Sequence, residues 1–214
     1  MDTKQQDFWK STFGKEYTDR NSFSRTEYDE SYNATWGISK IAMNEKSIGH
    51  LDRTTRILEV GCNTGMQLRV LQDMGFMDLY GVELQGYAVE ESKKHLENIN
   101  VIQGSGFDLP FRDSFFDLVC TNGVLIHISP DDIPTIMSEM YRCSRKYIWG
   151  FEYFSNEIQS INYRGNSDYL WKANFAQLFL NQFSDLRLVS QQDYPYINKE
   201  NLGNTDRMYL LEKV

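Results

Sequence analysis

The chain has 214 residues, 41% hydrophobic and 24% charged, with a formal net charge of −8. That length and composition suit one globular domain with a sizeable core and argue against disorder. The acidic balance and scattered Lys and Arg disfavour a nucleic-acid partner, and no stretch reaches the ~18 apolar residues of a membrane helix.

The opening stretch, Met1–Asp7, is polar and lacks the apolar run of a secretory signal. Residues 1–50 read as a helical cap belonging to the same domain, rich in Phe8, Trp9, Phe13, Tyr17, Tyr28, Tyr32 and Trp36. Two readings stay open for these rings: packing against the main body, or a lid over a substrate. Trp36, Ile38, Ile41, Ala42 and Ile48 partly fit a helical stripe, so one helix is expected over Glu27–Ile48.

Residues 51–214 form the main unit, and strands there alternate with helices. Strands are expected at Arg56–Val60, Leu79–Glu83, Val101–Gln103, Phe116–Asn122 and Tyr147–Phe154, then at Leu186–Ser190 and Arg207–Glu212. Helices are expected at Met66–Met74, Tyr87–Leu96 and from Ser129 to about Cys143. In the last, Ser129 would be the N-cap, Pro130 the first helical residue and Asp132 the acid at N3. This alternation implies an α/β fold, a mostly parallel sheet covered by helices on both faces.

Open parallel sheets bind ligands beyond the carboxyl ends of their strands, where strand order reverses. The first strand ends there in Glu59-Val60-Gly61-Cys62-Asn63-Thr64-Gly65, and Gly61 and Gly65 allow a tight turn close to a ligand. The G-x-x-x-G spacing lacks the extra glycines of a dinucleotide fingerprint, which disfavours a nicotinamide-dependent oxidoreductase. Glu83 ends the second strand at the interval expected of an acid that holds ribose hydroxyls.

Two candidate bases lie at the same edge. His127 follows the fourth strand and Glu152 lies near the end of the fifth. A histidine that merely packs beside the next helix remains the alternative for His127. Residues 155–172 are expected to build an acceptor pocket. Tyr153, Tyr163, Arg164 and Lys172 are its candidate contacts, Arg164 as a bidentate partner for a carboxylate or phosphate. Glu152 could instead pair with Arg164 or Lys172. Cys62, Cys120 and Cys143 are odd in number and far apart, which argues against disulfides or zinc and for a reduced, cytoplasmic setting. Asp131 and Asp132 read as helix-start acids, and no metal site is expected.

The ordered segments Ile57-Leu58-Glu59-Val60-Gly61, Gly81-Val82-Glu83, Gly104-Ser105, Leu109-Pro110-Phe111, Ser114–Val119 and Leu125-Ile126-His127 resemble the motifs of class I SAM-dependent methyltransferases. The resemblance covers about Arg56 to Phe154. It implies a Rossmann-like, seven-stranded sheet closed by an antiparallel hairpin, with S-adenosylmethionine (SAM) as methyl donor and S-adenosylhomocysteine as product. It implies that Glu59 orients the loop near the methionine amino group and that Gly61, Cys62, Asn63 and Gly65 form that loop. By the same likeness Glu83 holds the ribose, and Leu84 packs on adenine. Ser105 falls where the family often has Asp, so one bond from Ser105 and contacts from Gly106 and Phe107 replace it. Asn122 and Gly123 lie at the methionine end.

Phe8-Trp9, Phe13–Asn21, Gly123–Ile128, Tyr141–Ser144, Glu152-Tyr153 and Tyr163-Arg164-Gly165 narrow the resemblance to the pseudaminic acid biosynthesis-associated methylases. That likeness implies methyl transfer to O or N of a small acceptor, sugar-derived or carboxylate-bearing. A non-catalytic SAM-binding protein stays open as an alternative. The expected assembly is a monomer or homodimer, with no nucleic-acid or membrane partner.

Overall fold

The computed structural model describes residues 3–214; Met1 and Asp2, part of the polar opening, lie outside the described residues. Four short helices open the chain, each with a local start signal. Thr3 caps α1 (Lys4–Lys10) through a reciprocal box with Gln6, and Ser11 caps α2 (Thr12–Arg20). Ser24 and Glu27 form a second box at the head of α3 (Arg25–Trp36). The single helix expected over Glu27–Ile48 is two helices. Gly37 ends α3 in the left-handed conformation at φ 71°, and the Ser39 side chain starts α4 (Lys40–Ile48) by accepting from the Ala42 N–H.

The alternating part follows the expected order with small shifts at the ends. It runs β1 (Ile57–Val60), α5 (Met66–Asp73), β2 (Leu79–Glu83), α6 (Gly86–Lys93), β3 (Asn100–Gln103) and β4 (Phe116–Asn122). A single 3₁₀ turn at Leu125–His127 precedes α7 (Ile133–Cys143), which passes straight into β5 (Ser144–Tyr153). A two-residue ribbon, β6 (Gln159–Ser160) with β7 (Trp171–Lys172), then leads to α8 (Phe175–Gln182), β8 (Leu186–Pro195) and β9 (Thr205–Lys213).

The expected start of α7 at Ser129 is corrected. The carbonyl of Ser129, not its hydroxyl, accepts from the N–H groups of Asp132 (2.8 Å) and Ile133 (3.0 Å). Residues 130–132 therefore form a turn, and Pro134 takes the place in the first helical turn where a missing N–H costs nothing.

The sheet order is β3-β2-β1-β4-β5-β9-β8. The first five strands are parallel, β9 is antiparallel to β5, and β8 to β9. Strand order reverses between β1 and β4, which opens a crevice at their carboxyl ends. Successive residues feed opposite faces, so two cores flank the sheet. Ile148, Tyr209 and Leu211 join Met137, Met140 and Phe179 of α7 and α8 in one. Trp149, Phe151, Met208 and Leu210 join Tyr32, Met43 and Leu68 of α3, α4 and α5 in the other. The N-terminal helices are thus part of the main core. No described helix is long and apolar enough to cross a membrane.

Candidate functional site

A cavity of about 570 Å³ opens at the crevice between β1 and β4. Its floor is the carboxyl ends of the parallel strands, and its roof comes from α1, α2 and α3 through Gln6, Trp9, Tyr17, Thr18, Tyr32 and Trp36.

The loop after β1 has the backbone that its glycines suggest. Gly61 (φ 74°), Asn63 (φ 47°) and Gly65 (φ 79°) all lie in the left-handed region. A Cβ on Gly61 would meet Val124 Cγ2 at 2.7 Å, so the loop can pass the segment after β4 only as glycine. Asn63 tolerates this conformation better than most side chains. Its N–H donates to Glu83 Oε2 at 2.9 Å, and the Gln85 N–H donates to Oε1 at 2.7 Å. Burial still holds the Glu83 carboxyl above its usual range. Glu83 is a carboxylate fixed by two backbone donors at the edge of a nucleoside-sized space.

Glu59 is fully enclosed, and its Oε2 has no hydrogen-bond partner among the described residues. Burial pushes its carboxyl up to about 8, with the Lys40 charge opposing that rise. An unpartnered buried carboxylate oxygen beside a cavity is costly unless a donor arrives to meet it. The ammonium of a bound amino acid moiety fits that requirement. Lys40 itself is fully buried on the same side of the sheet and donates to Asn122 Oδ1 at 2.8 Å. Burial brings its ammonium down to about 7. The sequence reading missed Lys40. Its signal is a lysine immediately after the Ser39 cap, next to the apolar Ile41 and Met43.

Most of the expected site residues line the cavity: Glu59, Gly61, Cys62, Asn63, Glu83, Leu84, Ser105, Gly106, Phe107, Asn122, Gly123, His127, Tyr153 and Tyr163. Gly65 is not in the lining; its role is to start α5. Cys62 contributes backbone, because its thiol is buried against Gly81 and burial pushes its pKa well up. The Ser105 hydroxyl accepts from Gln6 Nε2 (2.7 Å) and from the Phe107 N–H (3.1 Å), which ties α1 to the loop after β3.

His127 is buried, and its Nδ1 lies 2.8 Å from the Tyr169 carbonyl. A carbonyl only accepts, so Nδ1 carries the proton and Nε2 keeps the lone pair. Trp9 and Tyr163 pack against the ring at 4.7 and 5.1 Å between centroids. Burial lowers the His127 pKa to about 4, so the ring is neutral at physiological pH.

Three expected contacts lie elsewhere. Glu152 is buried behind the segment after β4, where its oxygens accept from the N–H groups of Val124 (3.2 Å) and Ile126 (3.4 Å). It braces the turn that carries His127 and makes no ion pair with Arg164 or Lys172 among the described residues. Arg164 is exposed, in a left-handed turn at φ 50°, outside the lining. Lys172 donates to Asn204 Oδ1 at 2.7 Å and is also outside the lining. Asp206, at the start of β9, was not anticipated and does line the cavity. Its signal is period-2 placement: it shares a strand face with the buried Met208 and Leu210. No group of three or more potential metal ligands occurs among the described residues.

Residues 58–147, from β1 into β5, match the family model described as a methyltransferase domain. No curated protein matches the chain in sequence. Solved structures share the fold at low identity. The PH0226 protein of Pyrococcus horikoshii OT3 is 14% identical with a TM-score of 0.62, over 90% of this chain and all of that one. A SAM-dependent methyltransferase of Methanosarcina mazei is 16% identical with a TM-score of 0.65, over 78% of this chain and 95% of that one. The 1,6-didemethyltoxoflavin-N1-methyltransferase of Burkholderia thailandensis, solved with its substrate and S-adenosylhomocysteine, is 15% identical with a TM-score of 0.65. That likeness spans 95% of this chain and 91% of that one. The chain has the Rossmann-like fold of these structures, and its β1–β5 segment matches a methyltransferase domain.

Proposed function

We propose that the chain is a SAM-dependent methyltransferase acting on a small acceptor held in the cavity between the strand ends and the N-terminal helices. The observation that carries this reading is the pair of carboxylates flanking the glycine loop. Glu83 is fixed by two backbone N–H groups, and Glu59 has an oxygen without a partner.

Bound SAM supplies an electrophilic methyl group on a sulfonium centre. The chain supplies position, which is most of what an in-line displacement needs. Glu83 accepts the ribose hydroxyls, Leu84 and Phe107 flank the adenine, and Gly106 adds backbone contact. Glu59 and the 61–65 loop hold the methionine end, with Asn122 and Gly123 beside them. Lys40 fixes the Asn122 amide from behind. Helices α1–α3 roof the cavity and exclude water, with α1 tied down by the Gln6–Ser105 bond.

His127 is the candidate proton acceptor for an acceptor hydroxyl or amine. Its Nδ1–H is committed to Tyr169, which leaves Nε2 to receive the proton. Glu152 serves that role indirectly, by holding the backbone of residues 124–126. The narrower resemblance to pseudaminic acid-associated methylases favours a sugar-related acceptor. Three free, buried cysteines suit a reducing compartment, and we assign the cytoplasm.

Calorimetry with SAM, S-adenosylhomocysteine and NAD tests the reading. The first two bind and NAD does not; binding of NAD alone would overturn it. Conversion of SAM to S-adenosylhomocysteine with candidate acceptors, read by a gain of one methyl in mass, separates catalysis from mere binding.

A further inference from the structure

Among the described residues that line the cavity there are three carboxylates, Glu59, Glu83 and Asp206, and neither a Lys nor an Arg. The first two lie at the cofactor end. The third stands apart at the head of β9, paired in register with Tyr153 on β5 and Tyr194 on β8. Asp206 is 6% exposed, and its side chain accepts one hydrogen bond, from the Tyr196 hydroxyl at 3.0 Å.

Around it runs a wall of rings. Tyr32 packs on Trp36 at 4.6 Å, Trp36 on Phe151 at 5.5 Å and on Tyr196 at 5.2 Å, and Tyr196 on Tyr153 at 5.8 Å between centroids. All five rings line the cavity. The Ile197 N–H donates to the Thr35 carbonyl at 2.8 Å, which clamps the segment carrying Tyr196 to the end of α3.

From this placement we infer that Asp206 and the Tyr32–Trp36–Phe151–Tyr153–Tyr196 wall form a subsite for the ammonium group of an amine-bearing acceptor. The inference rests on the methyltransferase reading for the word acceptor and on Asp206 for the word amine. Aromatic faces attract a desolvated cation, and a carboxylate supplies the charged hydrogen-bond partner. A carboxylate or phosphate seated against Asp206 would meet like charge, with no Lys or Arg among the described lining residues to offset it.

Two lysines already touch these rings from outside the lining. Lys40 Nζ lies 4.2 Å from the Phe151 centroid and Lys172 Nζ 4.2 Å from that of Tyr153. Neither pairs with Asp206, since Lys40 is spent on Asn122 and Lys172 on Asn204. Their charges leave the carboxyl under-compensated: burial still pushes it up to about 7, against their pull downward. A cation seated beside Asp206 supplies the missing partner.

The test uses three probes of similar shape and different charge: benzylamine, benzyl alcohol and phenylacetate. Each is titrated near neutral pH into the wild-type chain, with and without saturating S-adenosylhomocysteine. Benzylamine binds about tenfold or more tighter than the alcohol, a step of about 1.4 kcal/mol, and phenylacetate binds weakest. Asp206→Asn removes the preference for the amine, while affinity for S-adenosylhomocysteine stays within about twofold. Equal binding of alcohol and amine, tighter binding of phenylacetate, or an amine preference that survives Asp206→Asn would each overturn the proposal. The wild-type comparison needs no substitution, so a poorly folded variant does not rescue it. If S-adenosylhomocysteine fails to bind the wild-type chain, the cofactor reading falls. The three-probe comparison on the chain alone still decides the amine subsite.

Discussion

The two ends of the cavity are built by different means. At the proposed cofactor end the working parts are backbone: left-handed turns at Gly61 and Asn63, N–H groups of Asn63 and Gln85, and one carboxylate at a strand end. At the proposed acceptor end they are side chains drawn from α3, β5, the 196–197 segment and β9. A site made of one loop and one strand end is written within some 25 residues of sequence. A wall gathered from residues 32 to 206 exists only once the chain is folded. Substitutions should therefore separate the ends: changes at the first act on cofactor affinity, changes at the second on acceptor choice and rate.

The largest effect is expected at Glu83. Charged hydrogen bonds contribute about 1.5–3 kcal/mol each, and Glu83→Ala removes the proposed acceptor of two ribose hydroxyls. Affinity for S-adenosylhomocysteine should drop by roughly a hundredfold or more, read by calorimetry. An unchanged affinity would show that the ribose lies elsewhere and would dissolve the contrast between the ends.

Glu152 tests the brace between them. In Glu152→Gln one oxygen still accepts from Val124, but an NH₂ now faces the Ile126 N–H or an equivalent donor. Leaving that donor unmet costs about 1–3 kcal/mol. The sign with pH is definite. Burial raises the wild-type carboxyl from 4.5 to about 7 in the folded chain. The wild type therefore loses stability as pH rises from about 4.5 to about 7, by at most about 3 kcal/mol. Gln does not titrate, so the deficit of the variant is widest near the acid end of that window and narrows as pH rises. Denaturant melts across the window check this. A deficit independent of pH would mean that Glu152 is ionised throughout.

His127 lies where the ends meet. His127→Ala should keep cofactor affinity within about twofold and slow methylation by roughly tenfold to a hundredfold. The low end of the usual range for a base applies because the ring is weakly basic, with its pKa lowered to about 4. For the same reason the wild-type rate should show no histidine titration near pH 6.5. The ring is buried neutral, so the unfolded chain binds the extra proton between about 4 and 6.5, and stability from this group is lost as pH falls through that window. An unchanged rate in the alanine variant would remove His127 from proton transfer and leave it as packing for Trp9 and Tyr163.

How much of this was written in the sequence follows the same division. The bounds of β2 and β4 were legible to the residue, because buried parallel strands read as short apolar runs between turn residues. The Glu59–Gly65 loop and Glu83 were legible because spacing along one βαβ unit fixes their geometry. The break at Gly37–Ser39 was missed although both stop and start residues are present, since the apolar stripe on either side masks them. Glu152, Arg164 and Lys172 were placed at the acceptor by position along the chain, but strand pleat puts Glu152 on the face opposite Tyr153, and Arg164, in an exposed turn, and Lys172, bonded to Asn204, stay outside the lining. Asp206 and Lys40 carry the opposite lesson. Each is a charged residue on an apolar face, a conflict that only the fold explains.

The smallest effect is expected at Ser105, and it decides whether the N-terminal helices belong to the cofactor end. Ser105 does not have to touch adenine to matter, because its hydroxyl receives the Gln6 side chain and the Phe107 N–H. Ser105→Ala removes one partly buried anchor of α1, about 1 kcal/mol of holding energy. If α1 closes over bound cofactor, that loss appears as a roughly threefold to fivefold weaker affinity for S-adenosylhomocysteine, with faster dissociation and little change in association. Gln6→Ala should then reproduce it, and the double variant should cost no more than either single one. If the two losses add instead, Ser105 contacts the ligand on its own account and the helix merely packs. That outcome would move the lid from α1 to the aromatic segment of α3 and shift the boundary between the two ends of the cavity.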